Sequence, residues 1–354
     1  MSALAPVAAG NASDVMAVFR HHGGRIDAAR AVFPKAPDDW IDLSTGISPY
    51  AYPTGKIAGS LRALPSPAAL AALEAAAARF FGASANRVVA VPGTDLALRL
   101  LGSMLPKMPV GVVGPGYGGH IAMWNRDVAT IGVAALELSA VDTCAQDHGI
   151  VILANPNNPD GHTVAASTLH SAATALAARH GWLIVDEAFA DVRPANSVAA
   201  AALENTIVLR SFGKFFGLAG LRLGFVIAPP FIAAGLRQQL GDWPISGPSI
   251  AVATKAYTDT LWHDRQRLRL TRAAVRLDRL LVAGGLSVVG GTDLFRLVHT
   301  DDAARVFERL ASAGILVRPF ASDNWRVRFG LPSGQHQWQR LRDAIIPDTL
   351  GEFA

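Results

Sequence analysis

Short apolar runs alternate with helix-patterned stretches from residue 68 to about 240, and that alternation leaves few folds open to the chain. The runs are Val88–Val91, Val110–Val113, Gly149–Ala154, Trp182–Asp186 and Thr206–Leu209. Each is too short for a helix and reads as a buried strand. Between them lie helical patterns. One is capped by Ser66 and Pro67 and runs to about Phe81, ending near Gly82; others span Leu96–Leu105 and Ala165–Arg179. Strand and helix in turn predict an α/β domain with a mostly parallel sheet covered on both faces. Ligands of such sheets gather at the C-terminal ends of the strands. Pro244–Pro248 breaks the pattern. A long helical region follows at about 249–283, with Arg265, Arg269, Arg272 and Arg276 recurring on its polar side. Runs at Leu286–Val289, Leu294–Val298, Ile315–Val317 and Trp325–Phe329, with helices from Asp301 and near Gln335–Ile345, predict a small α+β domain. The expected division is an N-terminal arm, 1–45, joining the small domain; a large domain, 46–245; and the small domain, 246–354.

Composition removes several function classes. Hydrophobic residues are 51% and charged ones 17%, which excludes a disordered chain. No apolar run reaches the roughly 18 residues a membrane span needs, and the first residues lack a signal peptide's pattern. The net charge of +4 is spread without a basic block, so no nucleic-acid partner is expected. Scattered arginine suits small anions instead. A single cysteine, Cys144, excludes an internal disulfide and a thiolate metal cluster. No metal is expected, and a reducing cytoplasm fits.

The chemistry centres on Ser211-Phe-Gly-Lys214-Phe-Phe-Gly217, after the strand at Thr206–Leu209. Of five lysines, only Lys214 stands between phenylalanines, Phe212, Phe215 and Phe216. An ammonium held among aromatics loses hydration, which favours the neutral amine, a nucleophile toward aldehydes. Ser211 before it and Arg222 after it make a phosphate seat. Pro92-Gly93-Thr94-Asp95 adds a glycine turn into a helix, where free N–H groups suit an anion; Asp95 is also a candidate cap. An aldehyde-reactive lysine beside a phosphate seat suggests pyridoxal phosphate (PLP). Asp186 ends a buried strand, needs a partner, and suits a pyridinium N–H. Tyr117 is placed to stack on a flat ring. It lies in Gly114-Pro-Gly116-Tyr-Gly-Gly119, which with Glu137 also matches a dinucleotide-binding pattern, so a nicotinamide dehydrogenase is an alternative. Asn155 to Gly161 reads as a turn-rich loop. His22-Gly23-Gly24 is either a plain loop or an anion donor. Arg326 and Arg328 share a strand face, solvated or gripping an anion.

Taken together, these residues resemble the fold-type I PLP enzymes of the aminotransferase superfamily, close to histidinol-phosphate aminotransferases, over about residues 20–345. The resemblance implies an aspartate aminotransferase-like fold with a seven-stranded large-domain sheet, and a homodimer. It implies that Lys214 carries the cofactor and Asp186 pairs with the pyridine nitrogen. Asn158 would bond the ring O3′, and Tyr117 would stack. Gly93, Thr94, Asp95, Ser211 and Arg222 would bind the cofactor around its phosphate. Arg326 would take the substrate carboxylate, with Arg328, His22, Gly23 and Asn158 beside the substrate. HGGRIDAA, WIDLSTGISP and PGYGGHIAMW are similar to the threonine-phosphate decarboxylases of cobalamin biosynthesis, as is DEAF, with Phe189, where many aminotransferases carry DEAY. That points to a small anionic amino-acid phosphate as substrate, decarboxylated, with an aminotransferase as the alternative. Where relatives often place a partner tyrosine on the cofactor phosphate, this chain has Ala63-Leu64-Pro65.

Overall fold

In the computed structural model, each of the five apolar runs forms its strand. The structure describes residues 18–19, 22–124, 130–134, 147–320 and 323–346. The first 17 residues, Glu137 and Cys144 lie outside them. By internal contacts the chain forms two compact units, one of residues up to Pro49 with those from Arg269, the other Tyr50–Leu268. The second division falls inside the helix Thr260–Ala283, past the Pro/Gly break at 244–248. The helical region expected at about 249–283 consists of two helices, Gly247–Thr258 and Thr260–Ala283. Asp259 parts them, and its carboxylate accepts the Trp262 N–H at 3.0 Å to start the second.

The first unit carries β1 (Ile41–Asp42). The larger unit holds β2 (Val88–Val91), β3 (Val110–Gly114), β4 (Thr130–Ala134), β5 (Ile150–Ala154), β6 (Trp182–Asp186), β7 (Thr206–Ser211) and β8 (Gly224–Ile227). Their order across the sheet is β2-β8-β7-β6-β5-β3-β4. β3 to β7 run parallel; β8 runs antiparallel to both β2 and β7. One face contributes Val89 and Val91, Val110 and Val112, Ile150 and Ile152, Ile184, Ile207 and Leu209, and Val226 to a common core. Residues of the opposite parity, such as Val88, Val151, Leu153, Leu183, Val185 and Val208, are buried too. Burial of both faces explains why these strands are continuous apolar runs. Each such side chain contributes roughly 1.5–3 kcal/mol on burial. Helix Pro67–Phe81 starts where Ser66 accepts the Ala69 N–H and ends on Gly82 in the left-handed region, as the sequence implies.

Direction within the sheet places the chemistry. β2, β3, β5, β6 and β7 end at one edge and lead into Gly93, Tyr117, Asn158, Asp186 and Lys214. β8, running the other way, begins there: Gly224 is paired with both Val91 and Ser211. The residue two before it, Arg222, is thereby delivered to the same edge.

The smaller unit contains β9 (Ser287–Thr292), β10 (Phe295–His299), β11 (Ile315–Leu316), β12 (Arg318–Pro319) and β13 (Arg326–Gly330). Four strands form an antiparallel sheet, β12-β13-β10-β9, and β1 pairs with β11 in parallel. Helix Ala303–Ser312 buries Val306, Phe307 and Leu310 at helical spacing.

Candidate active site

The anion seat is built by two glycines. Gly93 has φ +89, and a Cβ there would meet Arg222 at 3.0 Å from Nη2 and 3.7 Å from Cζ. A Cβ at Gly224 would meet Thr94 at 2.9 Å from its Cγ2 and 3.0 Å from its backbone nitrogen. Ser211, paired with Gly224, ends β7 alongside. Only side-chain-free positions let helix Thr94–Met104, β7 and Arg222 converge this closely. No side chain caps the helix, so its first N–H groups face the same space. N–H groups, two hydroxyls and a guanidinium are a set of donors, which fits a phosphate dianion.

Asp95 does not cap the helix; Gly93 is the N-cap. Its carboxylate instead accepts the Tyr117 hydroxyl at 3.2 Å and pairs with Arg99 at 3.3 Å. Burial, then the Asp95 charge, pushes the Tyr117 phenol up to about 12, so it stays a donor. The ring lies where a Cβ on Gly119 would stand. Gly114 to Gly119 thus forms the loop carrying Tyr117. The helix after it, Gly119–Ala122, is a single turn and not the long helix a dinucleotide pattern opens.

His120 ends three residues past Tyr117, completely buried, its ring edge-on to the tyrosine at 5.5 Å. Its Nε2 donates to Asp186 Oδ2 at 2.9 Å, and the Ala188 N–H donates to Oδ1 at 3.0 Å. Two donors fix the carboxylate at the end of β6 while lone pairs remain for a third. The sequence reading missed His120; the spacing Tyr-x-x-His on a turn leaving a strand is the available signal.

Lys214 lies half-buried in the single turn Phe212–Phe215. The expectation that Phe212, Phe215 and Phe216 surround its ammonium is corrected. Those rings pack with Phe80, Tyr257 and Trp262; Phe212 and Phe216 stack at 4.4 Å. They anchor the turn. Phe189 presents its ring to the ammonium, with its centroid 5.4 Å from Nζ. Phe189 belongs to the connection after Asp186. That connection is tied to β7 by Arg210, which donates to Glu187 at 2.6 Å, to Ser197 at 3.1 Å and to Asp191, all but shut off from solvent. Arg210 was not singled out from sequence.

Asn158 is half-buried within a loop braced by its neighbours. Asn155 exchanges hydrogen bonds with Val164, and Asn157 donates to the Pro115 carbonyl and to Asp160, each at 2.9–3.0 Å.

In the smaller unit His22 is exposed, and Gly23 presses on the Ser44 carbonyl where a Cβ would not fit. Gly24 N–H donates to Ser44 Oγ at 2.7 Å, and that hydroxyl donates to Asp42. Arg328 donates to the Ser44 carbonyl at 2.9 Å and lies over the Phe295 ring at 4.9 Å. Gly23 and Arg328 thus meet at Ser44. Arg326, on the same strand face, pairs with Asp323 at 3.2 Å. Opposite Arg328 in the β12–β13 ladder stands Arg318, which the sequence reading passed over. Burial pushes Arg318 down to about 10, and burial with the Arg318 charge pushes Arg328 down to about 9. Guanidinium keeps its proton at neutral pH, so this is the cost of two buried like charges, which an anion relieves.

The chain belongs to the aminotransferase class I and II family, which it matches over residues 38–341. Within that class, it is 38% identical over 330 residues to the threonine-phosphate decarboxylase of Sinorhizobium sp, covering 92% of this chain and 97% of the relative. It is 29% identical over 288 residues to the histidinol-phosphate aminotransferase of Xanthomonas campestris pv. campestris, covering 73% and 78%. In fold it is similar to the crystal structure of histidinol-phosphate aminotransferase from Sinorhizobium meliloti in complex with pyridoxal-5'-phosphate: TM-score 0.78, 22% identity, 90% of this chain and 93% of that one.

Proposed function

We propose that this protein catalyses the PLP-dependent decarboxylation of L-threonine O-3-phosphate to (R)-1-amino-2-propanol O-2-phosphate, a reaction of cobalamin biosynthesis. The observation that carries the reading is the contrast between 38% identity across nearly all of a threonine-phosphate decarboxylase and 29% across part of an aminotransferase. Bound PLP supplies an aldehyde that takes the substrate amine and a protonated ring that withdraws electrons from Cα.

The remaining work falls to the chain. Lys214 supplies the amine that holds the cofactor and exchanges with the substrate. Asp186, fixed by His120 and Ala188, accepts the pyridine N–H and keeps the ring protonated. Tyr117 stacks on the ring, oriented by Asp95. Asn158 bonds O3′, alone, because Phe189 has no hydroxyl. Gly93, Thr94, Ser211 and Arg222 grip the phosphate. Arg326 and Arg328, with His22 and Gly23, take the substrate's carboxylate and phosphate. Arg318 joins them: two facing guanidiniums suit a dianion better than a single charge.

The reading includes a cytoplasmic homodimer. Leu61, Leu64 and Trp243 support a dimer, since they stand 67%, 68% and 55% exposed on segments that meet at Ser60 and Gly247. Among the described residues no helix is long and apolar enough to cross a membrane.

The test is carbon dioxide release from threonine phosphate by pure protein with PLP. No release, together with ketoacid-dependent turnover of histidinol phosphate, assigns the aminotransferase activity instead.

A further inference from the structure

We propose that Phe189 sets the reaction's outcome by holding Lys214 as an ammonium, so that the lysine gives a proton to Cα and does not take one away. This rests on the decarboxylase reading above and deepens it.

The observation is the ring of Phe189, 7% exposed, with its centroid 5.4 Å from Lys214 Nζ. The face of an aromatic ring attracts a cation and has no comparable attraction for a neutral amine. Lys214 is only half-buried, so the hydration it loses, which favours the neutral amine, is incomplete, and the attraction of the ring face outweighs it in favour of the charged lysine. Its position is fixed from both sides. Phe189 sits three residues beyond Asp186 on a connection clamped to β7 by Arg210, Glu187 and Asp191. Lys214 sits on a turn anchored by three buried phenylalanines.

Protonation state decides between two routes. When the substrate's ammonium takes the lysine's place on the cofactor carbon, its proton passes to the lysine, which leaves as an ammonium. In decarboxylation the Cα–carboxylate bond breaks and carbon dioxide departs without the electron pair. Cα must then gain a proton. Lys214 gives it, becomes the neutral amine, and in that form displaces the product; the product amine takes its last proton from water. In amino transfer the lysine must begin as the neutral base, removing the Cα proton. That proton would pass to the cofactor carbon, after which water would release a keto acid and leave the nitrogen behind as pyridoxamine phosphate. A residue that favours the charged lysine favours the first route.

Among the described residues, the titratable groups at this end of the sheet include Asp186 with His120, Tyr117 with Asp95, Arg222, and Glu187 and Asp191 paired with Arg210. None is changed by substitution at Phe189.

The test compares wild type with Phe189→Leu, which removes the ring face, and Phe189→Tyr, which keeps it. In cofactor-free protein, the pH midpoint for acetylation of Lys214 is measured by peptide mass spectrometry. Phe189→Leu is expected to label with a midpoint roughly 0.4–1.5 pH units lower, and Phe189→Tyr to stay with wild type. In the loaded enzyme given threonine phosphate, pyridoxamine phosphate formed per carbon dioxide should rise about three- to thirtyfold in the leucine variant alone. If the leucine variant fails to melt cooperatively, Phe189→Met is measured in its place. An unmoved midpoint in the ring-less variant, or an equal shift in the tyrosine variant, overturns the proposal. The labelling arm needs no substrate. A shifted midpoint without carbon dioxide release from any variant refutes the decarboxylase reading and leaves the Phe189–Lys214 coupling standing.

Discussion

Substituting Gly93 by alanine separates two roles that this residue combines. The backbone there has φ +89 and ψ 149, a conformation that L residues rarely adopt. Holding alanine in it costs roughly 1–3 kcal/mol, whether or not cofactor is present. The second effect is directional. The new methyl would stand 3.0 Å from Arg222 Nη2, tighter than ordinary contact, so the guanidinium must shift by a few tenths of an ångström, enough to spoil the alignment of a hydrogen bond made by that nitrogen. If Arg222 grips the PLP phosphate, that movement removes one charge-assisted hydrogen bond, roughly 1.5–3 kcal/mol. The dissociation constant for PLP then rises about ten- to 150-fold. Urea unfolding of cofactor-free protein measures the first effect, and fluorescence titration with PLP the second. Arg222→Gln isolates the second, with PLP affinity falling in the same range and no backbone strain. If Gly93→Ala is destabilised but binds PLP as tightly as wild type, or Arg222→Gln keeps full affinity, Arg222 is not a phosphate ligand.

Other outcomes follow from buried charge and burial-shifted groups. Arg210→Met leaves Glu187 and Asp191 buried without their cation and should cost roughly 3–5 kcal/mol in urea unfolding. Tyr117 has its folded pKa raised to about 12, so its contribution to stability is complete below pH 10 and is lost as pH rises through about 12. Tyr117→Phe should therefore melt with a shallower alkaline decline, measured against wild type from pH 9.5 to 12. Inorganic phosphate added to the PLP-loaded enzyme should raise its Tm by relieving Arg318 and Arg328, and Arg318→Met should lose that response. An unchanged response would remove Arg318 from the anion site.

The strands of the large sheet were legible because burial on both faces writes itself as uninterrupted Val, Ile and Leu. Their order was not, since nothing local in Gly224–Ile227 says that it inserts antiparallel between β2 and β7. Asp186, Lys214 and Arg222 could be singled out because a charge next to an apolar strand or a glycine turn needs a reason. His120 and Arg318 escaped, since each gains its meaning from a partner far away in sequence: Asp186 for one, Arg328 for the other. The phenylalanines around Lys214 were the instructive error. Proximity along the chain suggested a sheath for the ammonium, but a turn points neighbouring side chains in different directions. A ring that reaches Nζ comes instead from position 189.

The reversed sense of β8 also makes the enzyme unevenly tolerant of changes in length. Ser211 and Lys214 hang from the outgoing end of β7, whereas Arg222 rides the incoming end of β8. An insertion or deletion of one residue within 217–221 would leave the lysine in register. It would turn the arginine away, or drag β8 one step along the ladder and invert every side chain on it. Within this hairpin-like segment, residue count is under tighter constraint than residue identity. A shortened or lengthened variant should form its bond to the aldehyde yet fail to keep hold of the coenzyme.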